Sequence, residues 1–305
     1  MPVITIGMVG IGQLGLPIAT NLLAAGFRVV GYRRRDREAF IRQGGIALES
    51  PAAVAAQSNF ILTCLPSEVA HMEIMEGPDG LLQSIGPQHT LIEIGTYHKA
   101  FKQRMAQRIE QRGARVLEAE VSGTPSMVSL RKASLFLGGD PDLVEHCKPV
   151  LDAIADIQFH IGGFGCAVAM KLIANYLVTI HTLAAAEALN LGVKAGFSAQ
   201  QVVEVIRQSA GGSTMFSARA PIMADRHFLP APGPFATLEK YIDMASELSE
   251  ELGSAAPLFN AAKPYFLRAI EEGIGEEDIS AVIKLIEADS QADSQAPSKK
   301  EKTTC

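Results

Sequence analysis

A chain of 305 residues, 48% hydrophobic and with a formal charge of −6, is long enough for two modest domains with cores of their own. The mild acidity argues against a nucleic-acid partner, which would need a basic face, but leaves room for an anionic ligand held by a few arginines. The four cysteines (Cys64, Cys147, Cys166 and Cys305) show no CxxC and no metal-ligand spacing, so reduced thiols, no metal and a cytoplasmic location are expected.

The opening "MPVITIGMVGIG" runs straight into a strand pattern with no basic n-region, so no secretory signal is expected. Six β-rich runs follow one another: 3–10, 28–32, 59–65, 89–95, 115–121 and 134–139. Amphipathic stretches separate them, and buried β-branched runs alternating with helices predict a parallel, doubly wound sheet. From residue 163 the strand signals stop. "GFGCAVAMKLIANYLVTIHTLAAAEALNLG" (163–192) predicts one long, nearly all-apolar helix that should be buried on every side. Further helices are predicted over 198–210, 235–253, 257–273 and 276–288, with Ser198 and Glu276 at helix-start positions. Lys171, Asn175, His181, Glu187 and Asn190 make a lipid-facing span of the long helix improbable, so no membrane partner is expected. The prediction is thus an N-terminal Rossmann-type α/β domain (1–162) and a C-terminal all-α domain (163–290). The polar, repetitive composition of 291–305 predicts disorder.

The G-x-G-x-x-G at Gly10, Gly12 and Gly15 lies directly after the first strand and opens a helix. The glycines suit a tight turn, close approach of backbone to a pyrophosphate and close helix–strand packing, and Gln13 and Leu14 lie within the same loop. The second strand ends in "GYRRRD". An NAD site usually carries an acid here for the ribose hydroxyl. Arg33, Arg34 and Arg35 suit a 2′-phosphate instead, so NADP(H) is expected over NAD(H); singly, each arginine also fits a solvated surface.

Lys171 and Asn175 are four residues apart and share a helix face, so both can meet one ligand. A lysine desolvated by an apolar helix can be brought toward neutrality, where it both gives and takes a proton. A snorkelling lysine and a structural asparagine are the plainer alternatives.

Over residues 3 to 288 the sequence resembles the β-hydroxyacid dehydrogenase family, which includes 3-hydroxyisobutyrate dehydrogenase and the tartronate and succinic semialdehyde reductases. The resemblance rests on the glycine loop, "CLP" (64–66), "EIGT" (93–96), "EAEVSGT" (118–124), "GFGCAVAMKLIAN" (163–175) and "LEKYIDMA" (238–245). It implies that Lys171 is the general acid/base, and that Ser122, Gly123, Thr124 and Asn175 bind a small acidic hydroxy or carbonyl substrate. It implies cofactor contacts from Leu65, Pro66, Thr96 and Lys240, and a homodimer or homotetramer. Alone, Ser122-Gly123 fits an ordinary turn and Lys240 a solvated helix lysine. A non-catalytic NADP-binding module and an imine-reducing relative of the same fold are the competing readings.

Departures from the family pattern gather where substrate is expected. Glu120 replaces a proline, Thr124 a glycine and Gly95 a serine, Met127 and Arg131 replace glycines, and Tyr241 follows Lys240 in place of aspartate. Arg131 is a candidate for binding a second acid group.

Overall fold

The computed structural model describes residues 3–295, and the chain divides between Leu172 and Ile173 into two compact units. The first contains β1 (Thr5–Val9), α1 (Gly15–Ala24), β2 (Arg28–Tyr32), α2 (Glu38–Arg42), β3 (Ile46–Ala47), α3 (Pro51–Ala55) and β4 (Phe60–Thr63). It continues with α4 (Glu68–Glu76), β5 (Thr90–Glu93), α5 (Lys99–Glu110), β6 (Arg115–Ser122), α6 (Pro125–Ser129), β7 (Ser134–Gly138), α7 (Pro141–Ile154) and β8 (Ile157–Gly162). The long α8 (Cys166–Lys194) begins in this unit. The second unit takes the rest of it with α9 (Ala199–Ile206), α10 (Thr214–Asp225), α11 (Phe235–Glu251), α12 (Pro257–Glu271) and α13 (Ile283–Gln295).

All eight strands form one sheet in the order β3-β2-β1-β4-β5-β6-β7-β8. Strand order reverses beside β1, which pairs in parallel with both β2 and β4. Such a reversal opens a crevice at the carboxyl ends of the strands. Side chains alternate across the sheet, so each face has its own core. Ile6, Met8, Leu62, Ile92 and Leu117 belong to one cluster; Val9, Val30, Ile61, Leu91 and Val116 belong to the other.

The sheet departs from the expected pattern in three places. The short β3 and the edge strand β8 join the six expected strands. Ile157 and Phe159 on β8 are exposed, so no buried apolar run marks it in the sequence. β7 runs antiparallel to β6, because the segment between them holds only the five-residue α6 and is too short for a parallel crossover.

In the helical unit Ser198 caps α9 as expected, its side chain accepting from the Gln201 amide at 3.2 Å. Glu276 is not a cap. Asp278 takes that role, accepting from the Ser280 amide at 3.0 Å and from Arg219 Nη1 at 2.5 Å. The long helix is not buried all round: Met170, Ile173 and Leu177 form an exposed stripe. α13 extends to Gln295, into the segment whose composition predicts disorder, and residues 296–305 of that segment lie outside the described residues.

Asn21 ties α1 to two other elements. Its buried amide donates to the Val128 carbonyl at 2.7 Å and the Ile154 carbonyl at 3.4 Å. Asn21→Ala removes the donor to the Ile154 carbonyl, while the Val128 carbonyl keeps the Arg131 amide at 2.9 Å, and is expected to destabilise the protein by about 1–3 kcal/mol in urea unfolding, with unchanged m-value.

Candidate active site

The loop after β1 has the geometry a dinucleotide requires. Gly10 has φ +96°, and a Cβ there would lie 2.2 Å from the Cys64 carbonyl oxygen, so the loops after β1 and β4 touch at the switch in strand order. A Cβ on Gly15 would sit 2.0 Å from the Gly10 carbonyl oxygen, which is why α1 packs so tightly on the strand. A Cβ on Gly12, by contrast, would meet nothing within 4 Å, so backbone is open to approach there. Gln13 follows, and Leu14 at the helix N-cap provides no side-chain cap, with no acid in the first turn to repel a phosphate. Leu65 and Pro66 follow β4, facing the same switch point in the strand order.

Arg33, Arg34 and Arg35 follow β2. Arg33 donates to the Asp36 carbonyl oxygen at 3.2 Å, and Arg34 pairs with Glu73 at 3.2 Å while staying largely exposed. Arg35 is exposed. A fourth cation, Arg37, was not among the expected residues; it lies over the Tyr32 ring and donates to the Arg33 carbonyl at 2.6 Å. Asp36, at φ +55°, turns off the strand line and pairs with Arg33.

Between β5, β6, α5 and the start of α8 lies a cluster of buried charge, all of it within the first unit. Glu118 and Glu120, two apart on β6, share a face and are fully buried. Glu118 accepts from the amides of Gly165 (2.8 Å), Ala167 (3.0 Å) and Val168 (3.2 Å), so it caps the N-terminus of α8. Lys102, from α5, lies between the carboxylates, 2.5 Å from Glu120 Oε1 and 3.0 Å from Glu118 Oε1, and also donates to the Gly95 carbonyl at 2.8 Å. Burial opposes the Lys102 charge, but Glu120, Glu118 and Glu93 outweigh it and hold the ammonium above its ordinary range.

Lys171 enters this cluster from α8 and is only 7% exposed. Its Nζ donates to Thr96 Oγ1 at 2.6 Å and lies 3.3 Å from Glu120 Oε2. The Thr96 hydroxyl donates in turn to Glu120 Oε2 at 2.6 Å. The surroundings are therefore not simply apolar, as the sequence suggests: a carboxylate lies beside the ammonium, and its charge counteracts desolvation. Thr96, expected to contact cofactor, has its hydroxyl engaged on both sides by this chain.

The remaining expected residues are distributed as follows. Ser122 ends β6 half-buried, and Gly123 has φ +147°, with a Cβ there 3.0 Å from that of Ala133. The Thr124 hydroxyl caps α6 by accepting from the Met127 amide at 3.3 Å, so local structure occupies it. Arg131 pairs with Asp156 and donates to the Asp152 carbonyl at 2.7 Å, which commits it away from a second substrate acid. Asn175 lies one turn beyond Lys171 on α8, its carbonyl accepting from Thr179 at 3.1 Å. Lys240, on α11 in the second unit, sits over the Tyr241 ring.

Sequence reasoning missed the partners of Lys171. Two signals were present: glutamates at alternate positions of a buried strand, which demand cations, and Lys102 on the apolar stripe of α5 with Met105, Ala106 and Ile109. Gly95 is explained by Tyr97, whose hydroxyl would lie 2.1 Å from a Cβ at that position and instead donates to the Leu65 carbonyl at 2.9 Å.

Comparison with known proteins agrees with this geometry. Residues 5–163 match the NAD binding domain of 6-phosphogluconate dehydrogenase, and residues 165–286 match the family described as NAD-binding of NADP-dependent 3-hydroxyisobutyrate dehydrogenase. The chain is 30% identical to 2-(hydroxymethyl)glutarate dehydrogenase of Eubacterium barkeri, over 93% of this chain and 95% of that one. It is 28% identical to glyoxylate/succinic semialdehyde reductase 2 of Arabidopsis thaliana, a chloroplastic enzyme, over 93% and 80% respectively. The crystal structure of a 3-hydroxyisobutyrate dehydrogenase from Salmonella typhimurium superposes with a TM-score of 0.83 at 25% identity, covering 92% of this chain and 99% of that one.

Behind the cluster, Glu93 accepts from Thr63 at 2.8 Å and lies 2.6 Å from His71 Nε2. Burial pushes its carboxyl up, but the charge and hydrogen bond of His71, the Lys102 charge and the Thr63 hydroxyl outweigh that, leaving it below its ordinary 4.5. A carboxyl lowered in the folded state stabilises the fold above the unfolded value and loses that contribution as pH falls through the folded one. Stability is expected to decline as the pH falls below 4.5. Glu93→Gln is expected to lower the neutral plateau and flatten the acid decline, as read by urea midpoints across that range.

Proposed function

Because the chain belongs to the β-hydroxyacid dehydrogenase family, with a 6-phosphogluconate-dehydrogenase-type NAD binding domain followed by a 3-hydroxyisobutyrate-dehydrogenase-type domain, we propose that it is an NADP(H)-dependent enzyme interconverting a small acidic hydroxy acid and its semialdehyde or keto form. The observation that carries the reading is Lys171: a buried lysine oriented by Thr96 and Glu120. The glycine loop at Gly10, Gly12 and Gly15 would hold the pyrophosphate, with Leu65 and Pro66 toward the nicotinamide. The bound cofactor supplies or takes up the hydride.

The chain's own residues manage the proton. In reduction the Lys171 ammonium gives a proton to the oxygen that becomes the alcohol, and its charge stabilises that oxygen as electron density builds on it. In oxidation the neutral amine takes the alcohol proton. Ser122, through its hydroxyl, and Gly123, through its amide, are assigned to the substrate carboxylate, with Asn175 beside Lys171 in sequence.

Preference for NADP(H) is supported by the cations after β2 and by the absence of an acid at the strand end itself, where Tyr32 stands. The exposed stripe Met170, Ile173 and Leu177 supports a homodimer or homotetramer with α8 at a subunit contact. A non-membrane protein is supported by α8 itself, which is long and apolar enough to cross a bilayer yet carries Lys171 into a buried ion cluster, and a cytoplasmic location stays part of the proposal on the cysteine pattern of the sequence.

The test is oxidation of NADPH and NADH against glyoxylate, succinic semialdehyde, tartronate semialdehyde and methylmalonate semialdehyde. Lys171→Ala is expected to reduce kcat by about 10²- to 10⁴-fold and leave NADPH affinity unchanged. Equal loss of turnover and cofactor binding would make the lysine structural. The double variant Arg33→Ala with Arg34→Ala is expected to weaken NADPH about ten- to hundredfold while sparing NADH. Tight NADPH binding with no turnover of any carbonyl would favour the non-catalytic module.

A further inference from the structure

Glu120 stands where the family motif has a proline, and the structure brings its carboxylate directly to Lys171. We propose, on the reading of Lys171 as acid/base, that Glu120 is a positioning residue that holds this lysine as an ammonium, directly and through Thr96, and so sets the site for reduction.

The polarity of the hydrogen bonds supports this. The Thr96 hydroxyl has one proton, and the geometry directs it to Glu120 Oε2 at 2.6 Å. Its oxygen is then an acceptor toward Lys171 at 2.6 Å, which fixes the direction of the lysine N–H. Glu120 adds its charge at 3.3 Å, in a place where it is fully buried and little screened.

The neighbouring buried carboxylates are engaged elsewhere. Glu118, also on β6, spends its oxygens on the first amides of α8 and on Lys102. Lys102 comes from α5 and repels a second ammonium, so Glu120 must lie between the two for both to remain charged. Glu93, at the end of β5, is taken by His71 from α4, by Thr63 and by the Gly95 amide at 2.8 Å. Loss of the Lys171 proton would leave Glu120 with the Lys102 charge and the Thr96 hydroxyl. The Glu120 charge therefore favours the state of the lysine that donates a proton to a carbonyl over the state that abstracts one from an alcohol.

The experiment uses the full chain with ¹⁵N-labelled lysine, with the Lys171 Nζ signal assigned by its loss in Lys171→Met. Its titration is followed by NMR in wild type, Glu120→Gln and Glu120→Asp, beside the pH profile of reductive kcat. The expected result is that Glu120→Gln lowers both the Lys171 midpoint and the alkaline limit of kcat by about one to two pH units. Glu120→Asp, which keeps the charge, is expected to move both less, and KM for NADPH should stay within about twofold of wild type, since Glu120 is buried away from the glycine loop. An unmoved Lys171 midpoint in folded Glu120→Gln overturns the proposal. If the single variant does not fold, Glu120→Gln with Lys102→Met is compared with Lys102→Met alone, so that the effect of the glutamate is read with the Lys102 charge absent from both. A wild type that reduces none of the carbonyls would defeat the functional reading, and the NMR midpoint would still decide whether Glu120 governs Lys171.

Discussion

Two carboxylates on one buried strand hold the rest of the site together. Glu118 and Glu120 project from β6 into a place where neither can reach water, so each must find cations or amides. Glu118 finds the first amides of α8, and Glu120 finds Lys102, Thr96 and Lys171. One strand thereby fixes where the long helix begins and where its lysine points. Such an arrangement is not a cheap source of stability, because desolvation offsets much of the attraction. Breaking it on one side is a different matter: an unpaired buried charge costs about 3–5 kcal/mol. The cluster is best understood as a device of position, bought with stability drawn from the apolar clusters on the two faces of the sheet.

The sheet explains why chemistry collects at one end of it. β1 pairs with β2 on one side and β4 on the other, so the loops after β1 and β4 diverge from a common point. Gly10 allows those loops to touch, while Gly12 leaves backbone open. β5 and β6 lie next in order: Thr96 follows the end of β5, and Glu120 lies on β6 two residues past its last pairing with β5. The glycine loop and the buried charge cluster thus come from strands of one compact unit. Gly95 and Tyr97 belong to the same construction: the bulk of the tyrosine ring excludes any side chain at 95, and its hydroxyl holds the Leu65 carbonyl.

Much of this was legible in the sequence, and the failures have common physical causes. The six strands, the glycine loop and the helix carrying Lys171 are local patterns, set by period-2 and period-3.6 burial and by turn chemistry. What was lost depends on contacts far apart in the chain. Lys102 on α5 meets Glu118 on β6, and Lys171 reaches Thr96 from a different element altogether, so the buried cluster has no contiguous motif. For Thr124 and Arg131 the motif says nothing of the local partners that the structure shows, a capped helix for the hydroxyl and Asp156 for the guanidinium. The helix start near 276 failed more subtly: the capping side chain is that of Asp278, two residues on, which Arg219, the Gly233 amide and Ser280 hold in place. Likewise, an all-apolar helix looks buried on every side until the structure leaves Ile173 and Leu177 uncovered.

The central claim is that Lys171 is aimed at a reacting oxygen by groups the chain itself buries around it. A crystal structure of the enzyme with NADP⁺ and a small hydroxy acid tests it most directly. The account predicts the substrate hydroxyl within about 3.2 Å of Lys171 Nζ, with Thr96 and Glu120 still hydrogen-bonded to each other behind it. A hydroxy acid bound with its hydroxyl away from Lys171, and the lysine still closed on Thr96 and Glu120, would contradict it.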